Sequence, residues 1–463
     1  MKRVLVWSAL LVLASVAHAG LEGDIQKVLD DKSMHGKDVG IEIVRLTDGK
    51  VIYAKDATTP RRPASNLKLV TTAAALNTLG ADFKFRTKLI LRGSDLILVG
   101  DGDPSLGDAE MLEGTGWGTT TVFQHWAAEL KKRGITNVNN VIVDDSVFDD
   151  VFLHPKWSAS QYMQPHSAEV CGIALNANLI NVNVKPGKGA AVVTLDPASR
   201  SVEVQNSCVT GRANRVVVTR EKDDSTLVVK GEVKSAGMYQ VTVHDPAIFA
   251  GGALADVLAG QGVEVSGKVI RQRGAGSSGG TVVGVNETGL VAVVSHANKV
   301  SQNLYAESIC KRLGHAATGE PGSWANGTAA VGAYLKKIGV GDGEFKLNDG
   351  CGLSRENGVS PNAVCKVLEA NFGGGKSDYL KSLAVGGVDG TLEHRFTQKD
   401  LKGKVFAKTG FIEGVSALSG YLDGRDGNWY VFSILINGIP AKSNSIYKDL
   451  QEKIVRAVNN PSK

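Results

Sequence analysis

Apolar and polar residues alternate over Val39 to Leu46 and again over Lys50 to Ala54, with Asp48-Gly49 close between them. Period-two alternation around a dipeptide that accepts positive φ predicts two antiparallel strands joined by a tight hairpin, after a short N-terminal helix. Past Pro63-Ala64-Ser65 the period changes. Leu67, Leu69, Val70, Ala73 to Ala75 and Leu76 leave little polar surface on any side, which predicts a helix buried nearly all round. From about Phe85 to Val300 short alternating runs dominate: Thr87 to Leu91, Leu96 to Val99, Val192 to Leu195, Val216 to Thr219, Leu227 to Val229 and Tyr239 to Val243. With only a few helices between them, such as Val122 to Arg133 and Ala250 to Gly260, this stretch reads as a β-rich insertion, and Gly274 to Gly280 as a flexible connector near its end. Helical spacing returns at Ser301 to Leu313 and Gly327 to Ile338. Three strands follow, Val405 to Thr409, Ser416 to Leu422 and Trp429 to Ile436, and an amphipathic helix, Ile446 to Val458, closes the chain. The two ends therefore fold together as one α+β unit from which the insertion hangs.

Composition bounds this picture without changing it. The 463 residues are 43% hydrophobic and 21% charged, enough for two or three cores, and the 55 glycines follow no period. Lys2 and Arg3, the apolar run Val4 to Val16 and Ala17-His18-Ala19 read as a secretory signal peptide cleaved near Ala19, which predicts a periplasmic protein. The apolar run is shorter than the ~20 residues of a spanning helix, so no transmembrane anchor is expected. Without Lys2 and Arg3 the formal charge falls from +5 to +3, and no basic tract exceeds Lys131-Lys132-Arg133, a pattern without a nucleic-acid footprint. Export permits disulfides among Cys171, Cys208, Cys310, Cys351 and Cys365. Pairing cannot be read from sequence; we expect Cys171 with Cys208, and Cys310 as a buried thiol on a helix. Nine histidines show no metal-ligand spacing, and no cofactor or metal is implied.

Candidate chemistry rests on three motifs in order: Ser65-Asn66-Leu67-Lys68, Ser301-Gln302-Asn303 and Lys408-Thr409-Gly410. The Ser-x-x-Lys pattern recurs at Ser308 to Lys311 and Ser445 to Lys448, which we read as surface residues without chemistry, and Ser-x-Asn also recurs at Ser360 to Asn362, so neither pattern is specific alone. Three residues apart on a helix, Lys68 faces Ser65 and can reach its hydroxyl. To accept a proton from serine it must be neutral, which burial and a second cation favour, and Lys408 is the candidate cation. Ser65, at a helix start, also has free backbone N–H groups and the positive dipole end for an oxyanion. Glycine after Lys408-Thr409 lets a substrate backbone lie along the strand edge.

The motifs and their surroundings resemble the low-molecular-weight class C penicillin-binding proteins, the serine D-alanyl-D-alanine carboxypeptidase/endopeptidase family. Gly100 to Leu106, Val143 to Asp149, Asp349-Gly350-Cys351-Gly352-Leu353-Ser354-Arg355, Val388 to Leu392 and Ala407 through Tyr421 carry the likeness along nearly the whole mature chain. It implies a penicilloyl-serine-transferase (β-lactamase-like) domain with an antiparallel sheet and helices, split by two inserted domains. The 236 residues from Ser65 to Ser301 leave room for them. The expected division is a signal peptide 1–19, a catalytic domain 20–85 and 290–463, a first inserted domain 86–160 and 262–289, and a second, 161–261. By the same resemblance Ser65 attacks the penultimate D-alanine carbonyl with Lys68 as general base. Ser301 relays a proton to the leaving amine, Asn303 orients the substrate amide and Lys68, and Lys408 sets the electrostatics. Thr409, Gly410 and Phe411 bind substrate. Partners are peptidoglycan stem peptides, with β-lactams as covalent inhibitors; oligomeric state is not implied. Substrate contacts from the insertion are expected in Tyr162 to Asn178.

Two positions depart from the pattern. Phe411 stands where the family usually has Thr or Ser, whose hydroxyl helps bind the terminal carboxylate. Its backbone N–H can still serve an oxyanion hole, so acylation is preserved while carboxylate recognition is weakened, which shifts weight toward endopeptidase action on D-Ala–meso-diaminopimelate cross-links or toward weak carboxypeptidase activity. Cys351 stands where Ser is more common and reads as structural. Gly375-Lys376-Ser377 lacks the earlier glycine of a phosphate loop, Gly276 to Gly280 sits in a loop unlike a nucleophile elbow, and Asp101 and Asp103 fit a turn better than a calcium loop. The alternatives carried forward are a β-lactamase-like hydrolase and, because of Phe411, a non-catalytic wall-binding protein.

Overall fold

A computed structural model describes residues 20–277, 279–441 and 444–461. The expected signal peptide, 1–19, and Ser278 of the expected connector lie outside the described residues. These fold into two compact units: residues up to Thr78 with Val294–Ser301 and the chain from Thr328 on, and Leu79–Val293 with Gln302–Gly327.

The first unit is built on a six-stranded antiparallel sheet in the order Ala384–Val385, Val405–Ile412, Val415–Asp423, Trp429–Asn437, Asp38–Arg45, Lys50–Lys55. The N-terminal hairpin turns at Gly49, φ +68, as Asp48-Gly49 predicts. Val415–Asp423 and Trp429–Asn437 are buried along almost their whole lengths, because helices cover both faces. On one face Leu21 and Ile25 of the helix at 20–29 and Leu450 and Ile454 of Asn444–Asn459 pack with Ile41, Ile43, Leu418, Leu422, Phe432 and Ile434. Helix Pro361–Ala370 packs against three of these strands and against Leu67–Thr78, whose first nine residues are all buried.

The recurrence of Ser-x-Asn at Ser360 to Asn362 falls at the start of helix Pro361–Ala370. Ser360 Oγ accepts from Ala363 N at 2.9 Å as the N-cap, with Pro361 at the first helical position. The expected helix start at Ser301 is corrected: the helix is Asn303–Thr318, capped by Gln302, and Ser301 has φ +69 in the link from Leu290–Lys299.

In the second unit a five-stranded mixed sheet runs Val269–Arg271, Val141–Asp144, Asp95–Val99, Lys84–Arg92, Thr281–Gly289. Two three-stranded sheets come from the chain between Leu179 and Thr242. Helices Thr121–Lys132 and Pro246–Gly260 bring Phe123, Leu130, Phe249 and Leu254 into the core with Leu89, Leu98, Val143, Val182 and Val229. Ser308 and Lys311 are not surface residues. Both are buried; Lys311 Nζ bonds Asp149 Oδ1 at 2.6 Å and the Val151 carbonyl at 2.7 Å, and lies 3.9 Å from the Trp324 ring centre. Burial on an amphipathic helix is here balanced by an ion pair and an aromatic face. Ser445 and Lys448 are exposed, as expected.

The expected Cys171–Cys208 bond is absent. All five cysteines are buried thiols outside any disulfide, and Cys171 Sγ donates to Asp145 Oδ2 at 3.0 Å. Burial, then the Asp145 charge, pushes the Cys171 thiol well above its ordinary range. Native protein should therefore show essentially no thiol reactive toward a disulfide reagent, and all five after denaturation without reductant. A titre of three would restore one disulfide.

Candidate active site

The nucleophile candidate sits on a tight turn. Ala64–Asn66 forms one 3-10 turn that runs directly into helix Leu67–Thr78, with Ala64 at φ +47, a costly value for a residue with a Cβ. The loop Asp349–Arg355 braces it. Gly352, φ +89, passes so close that a Cβ there would lie 1.8 Å from the Ala64 carbonyl oxygen. Asp349 ties this loop by accepting from Gly352 N at 2.8 Å, Ser354 N at 2.6 Å and Asn357 Nδ2 at 2.8 Å. One turn into the helix Lys68 is fully buried, and its Nζ donates to Ser65 Oγ at 3.0 Å and to the Cys351 carbonyl at 3.2 Å. Thr71 Oγ1, on the same side, donates to the Gly350 carbonyl at 2.7 Å.

Strand Val405–Ile412 supplies the third motif. Lys408 has no exposed surface and its Nζ donates to the Thr409 carbonyl at 2.9 Å. Burial foremost, then the nearby Lys68 charge, holds its pKa well below the lysine range. Two amines this close can be doubly protonated only at a cost. Gly410 lies on the same face of the strand as Lys408, and a Cβ there would come within 2.7 Å of the Pro63 carbonyl oxygen. Thr409 and Phe411 share the opposite face; Thr409 Oγ1 donates to Thr391 Oγ1 at 3.0 Å, and Phe411 is 47% exposed.

The direction of the strand's backbone groups follows from its ends. Gly386 N donates to the Val405 carbonyl from the edge-strand side, whereas Asp423 N donates to the Lys404 carbonyl from the other side. Pairing with Val415–Asp423 is unbroken from Val405 to Ile412, so alternate residues point alternate ways. Thr409 and Phe411 accordingly present N–H and C=O to the side where the edge strand, which pairs only with Phe406 and Ala407, has ended.

Ser301 belongs to the same unit. The helix before it is anchored to the nucleophile helix by Asn298 Nδ2, which donates to Thr72 Oγ1 at 3.2 Å and Ser382 Oγ at 3.0 Å. Lys299 Nζ bonds Asp389 Oδ2 at 2.5 Å. Asn303 belongs to the second unit, where its Nδ2 donates to the His166 carbonyl at 2.8 Å; this puts the expected segment Tyr162 to Asn178 beside Asn303. Burial lowers the His166 pKa.

Geometry thus gathers Ser65, Lys68, Lys408, Thr409 and Gly410 around one turn. It adds residues that the motifs did not single out: Asn66, the Cys351 carbonyl, Gly352 and Thr391. Gly352 and Cys351 lie in a run noticed only for its resemblance, and a positive-φ glycine touching a backbone has no spacing signature.

The family model for the D-Ala-D-Ala carboxypeptidase 3 (S13) family matches residues 21–460. A D-alanyl-D-alanine carboxypeptidase of Actinomadura sp. is 32% identical over 456 residues, covering 90% of this chain and 81% of that one. The crystal structure of penicillin binding protein 4 from Haemophilus influenzae is similar with a TM-score of 0.80 at 23% identity, over 94% of this chain and 99% of that one. The structure of that protein complexed with a β-lactam gives 0.75 at 24% identity, over the same shares of the two chains. These likenesses agree with the expected α+β architecture.

Two consequences are measurable. Gly352→Ala forces a Cβ into the Ala64 carbonyl at a φ that L-residues avoid, and should destabilise the protein by about 2 kcal/mol or more; an unchanged melting temperature would contradict the brace. For Lys408 the folded pKa lies below the unfolded one, so between the two values the unfolded state holds more protons and stability rises with pH. Any stability advantage of Lys408→Met over the parent protein should be greatest at low pH and shrink as pH approaches that of an ordinary lysine. A difference independent of pH would exclude a charged, desolvated Lys408.

Proposed function

The chain belongs to the D-Ala-D-Ala carboxypeptidase 3 (S13) family and is a serine-type peptidase, and we propose that Ser65 is its nucleophile. The carrying observation is the 3.0 Å contact of Lys68 Nζ with Ser65 Oγ beside a second buried lysine, Lys408. Because a doubly protonated pair is disfavoured, one amine is available as base. Ser65 Oγ attacks the carbonyl of the penultimate D-alanine as Lys68 takes its proton. The oxyanion is held by the N–H groups of Ser65 and Phe411, the latter pointing to the open strand edge. Collapse breaks the peptide bond, the proton passes through Ser301 to the leaving amine, and Asn303 orients the substrate amide. Water then hydrolyses the acyl-serine by the same base. The coupled pair shares a single charge, held by Lys408 whenever Lys68 is the free base, and Gly410 allows the peptide to lie along the strand edge as an added strand. β-Lactams acylate Ser65 by the same attack, with the opened ring retained as the leaving group.

Phe411 removes one hydroxyl from the position that would receive a terminal carboxylate and offers an exposed ring instead, while the Thr409–Thr391 hydroxyl pair stays nearby. This favours cross-linked substrates, whose acceptor side continues beyond the scissile bond, over free D-Ala-D-Ala ends. The unit from Leu79 to Val293 we read as two inserted domains, the five-stranded sheet marking the first and the two small sheets the second. Among the described residues no helix is long and apolar enough to cross a membrane; export to the periplasm rests on the N-terminal pattern.

The test is intact-protein mass spectrometry after incubation with benzylpenicillin, with cleavage of a purified cross-linked muropeptide alongside. We expect a stable adduct on Ser65, absent from Ser65→Ala, with the muropeptide cut at its D-Ala–diaminopimelate bond. An adduct that decays within minutes would favour the β-lactamase-like alternative. Folded protein that neither forms an adduct nor cuts muropeptide would leave the wall-binding one.

A further inference from the structure

Asn66 is the one fully buried polar side chain of the nucleophile turn that the mechanism above does not use. Its Nδ2 donates to the main-chain carbonyl of Lys408 at 2.8 Å, across 342 residues of sequence. Its Oδ1 is buried without a hydrogen-bond partner among the described residues, which leaves this donor bond as the amide's one compensation for burial. Two residues along the strand, a Cβ on Gly410 would meet Pro63 O at 2.7 Å and Asn66 Nδ2 at 3.1 Å. The carboxamide therefore reaches from the turn carrying Ser65 to the strand carrying Phe411, bonded there to the Lys408 carbonyl and packed against Gly410.

We propose that Asn66 is a positioning residue that fixes the spacing of the two oxyanion donors, the N–H groups of Ser65 and Phe411. Ser65 N belongs to the residue before Asn66 in the same 3-10 turn, and Phe411 N lies three residues along the strand from the carbonyl that Asn66 holds. An oxyanion hole works only if both donors meet the same atom, so a shift of the strand by a fraction of an ångström weakens the transition state more than the ground state. The inference rests on Ser65 being the acylated residue.

The experiment measures acylation by a reporter penicillin under single-turnover conditions, for the parent protein, Asn66→Ala and the isosteric Asn66→Asp, with melting temperature and circular dichroism to score the folded fraction. In folded variants the limiting acylation rate constant should fall roughly 10- to 100-fold, less than the ~10²–10³ lost with a whole oxyanion donor. The concentration at half-saturation should change by less than about threefold, because ground-state binding is not what Asn66 organises. Gly410→Ala, which wedges the same contact, should shift the rate constant in the same direction. If the parent is acylated on Ser65 and the folded Asn66 variants react at its rate, the positioning role is wrong; a loss confined to half-saturation, or one that tracks the unfolded fraction, also overturns it. If the parent forms no adduct, the Ser65 reading fails and this inference with it.

Discussion

Burying two lysine amines within each other's field is the constraint on which the catalytic unit depends. Neither ammonium is solvated by bulk water, and each disfavours a second charge on the pair. The surroundings answer with oriented oxygens: Ser65 Oγ and the Cys351 carbonyl for Lys68, and the Thr409 carbonyl for Lys408. These oxygens come from three segments distant in sequence, which is why a helix, a loop and a strand must meet with little tolerance. Glycine at 352 and 410 is the steric condition of that meeting, since a methyl group at either would displace backbone.

Much of this was legible along the chain because burial leaves a periodic trace. The nucleophile helix reads as buried all round, and its nine consecutive buried residues bear that out. The Asp48-Gly49 hairpin and the three C-terminal strands were legible for the same reason. Helix Pro361–Ala370 carries a clear start signal in Ser360-Pro361, an N-cap followed by proline at the first helical position. The helical spacing starts at Ser301, two residues before the helix itself, because a positive φ at a non-glycine residue leaves no mark in composition.

The Ser308 and Lys311 pair shows the other limit. Nothing in spacing distinguishes a solvated lysine from one held against Trp324 and paired with Asp149, since both partners come from elsewhere in the chain. Cys171 is similar: export made a disulfide plausible, but its thiol is engaged with Asp145 inside a packed core. The role of Asn66 is not legible in the sequence, because its partner is a backbone carbonyl that no side-chain pattern can signal.

The bond from Lys68 to the Cys351 carbonyl spans 283 residues, and strand Asp38–Arg45 lies between Trp429–Asn437 and Lys50–Lys55. The start of the chain thus waits for its end before the sheet closes, a topology of high contact order that folds slowly. During synthesis Ser65, the proposed nucleophile, is made early yet lacks its second lysine, its bracing loop and the strand edge opposite. On that proposal, reactivity toward acyl donors is a property of the finished molecule, and a chain interrupted before Val405 would carry Ser65 as an ordinary alcohol.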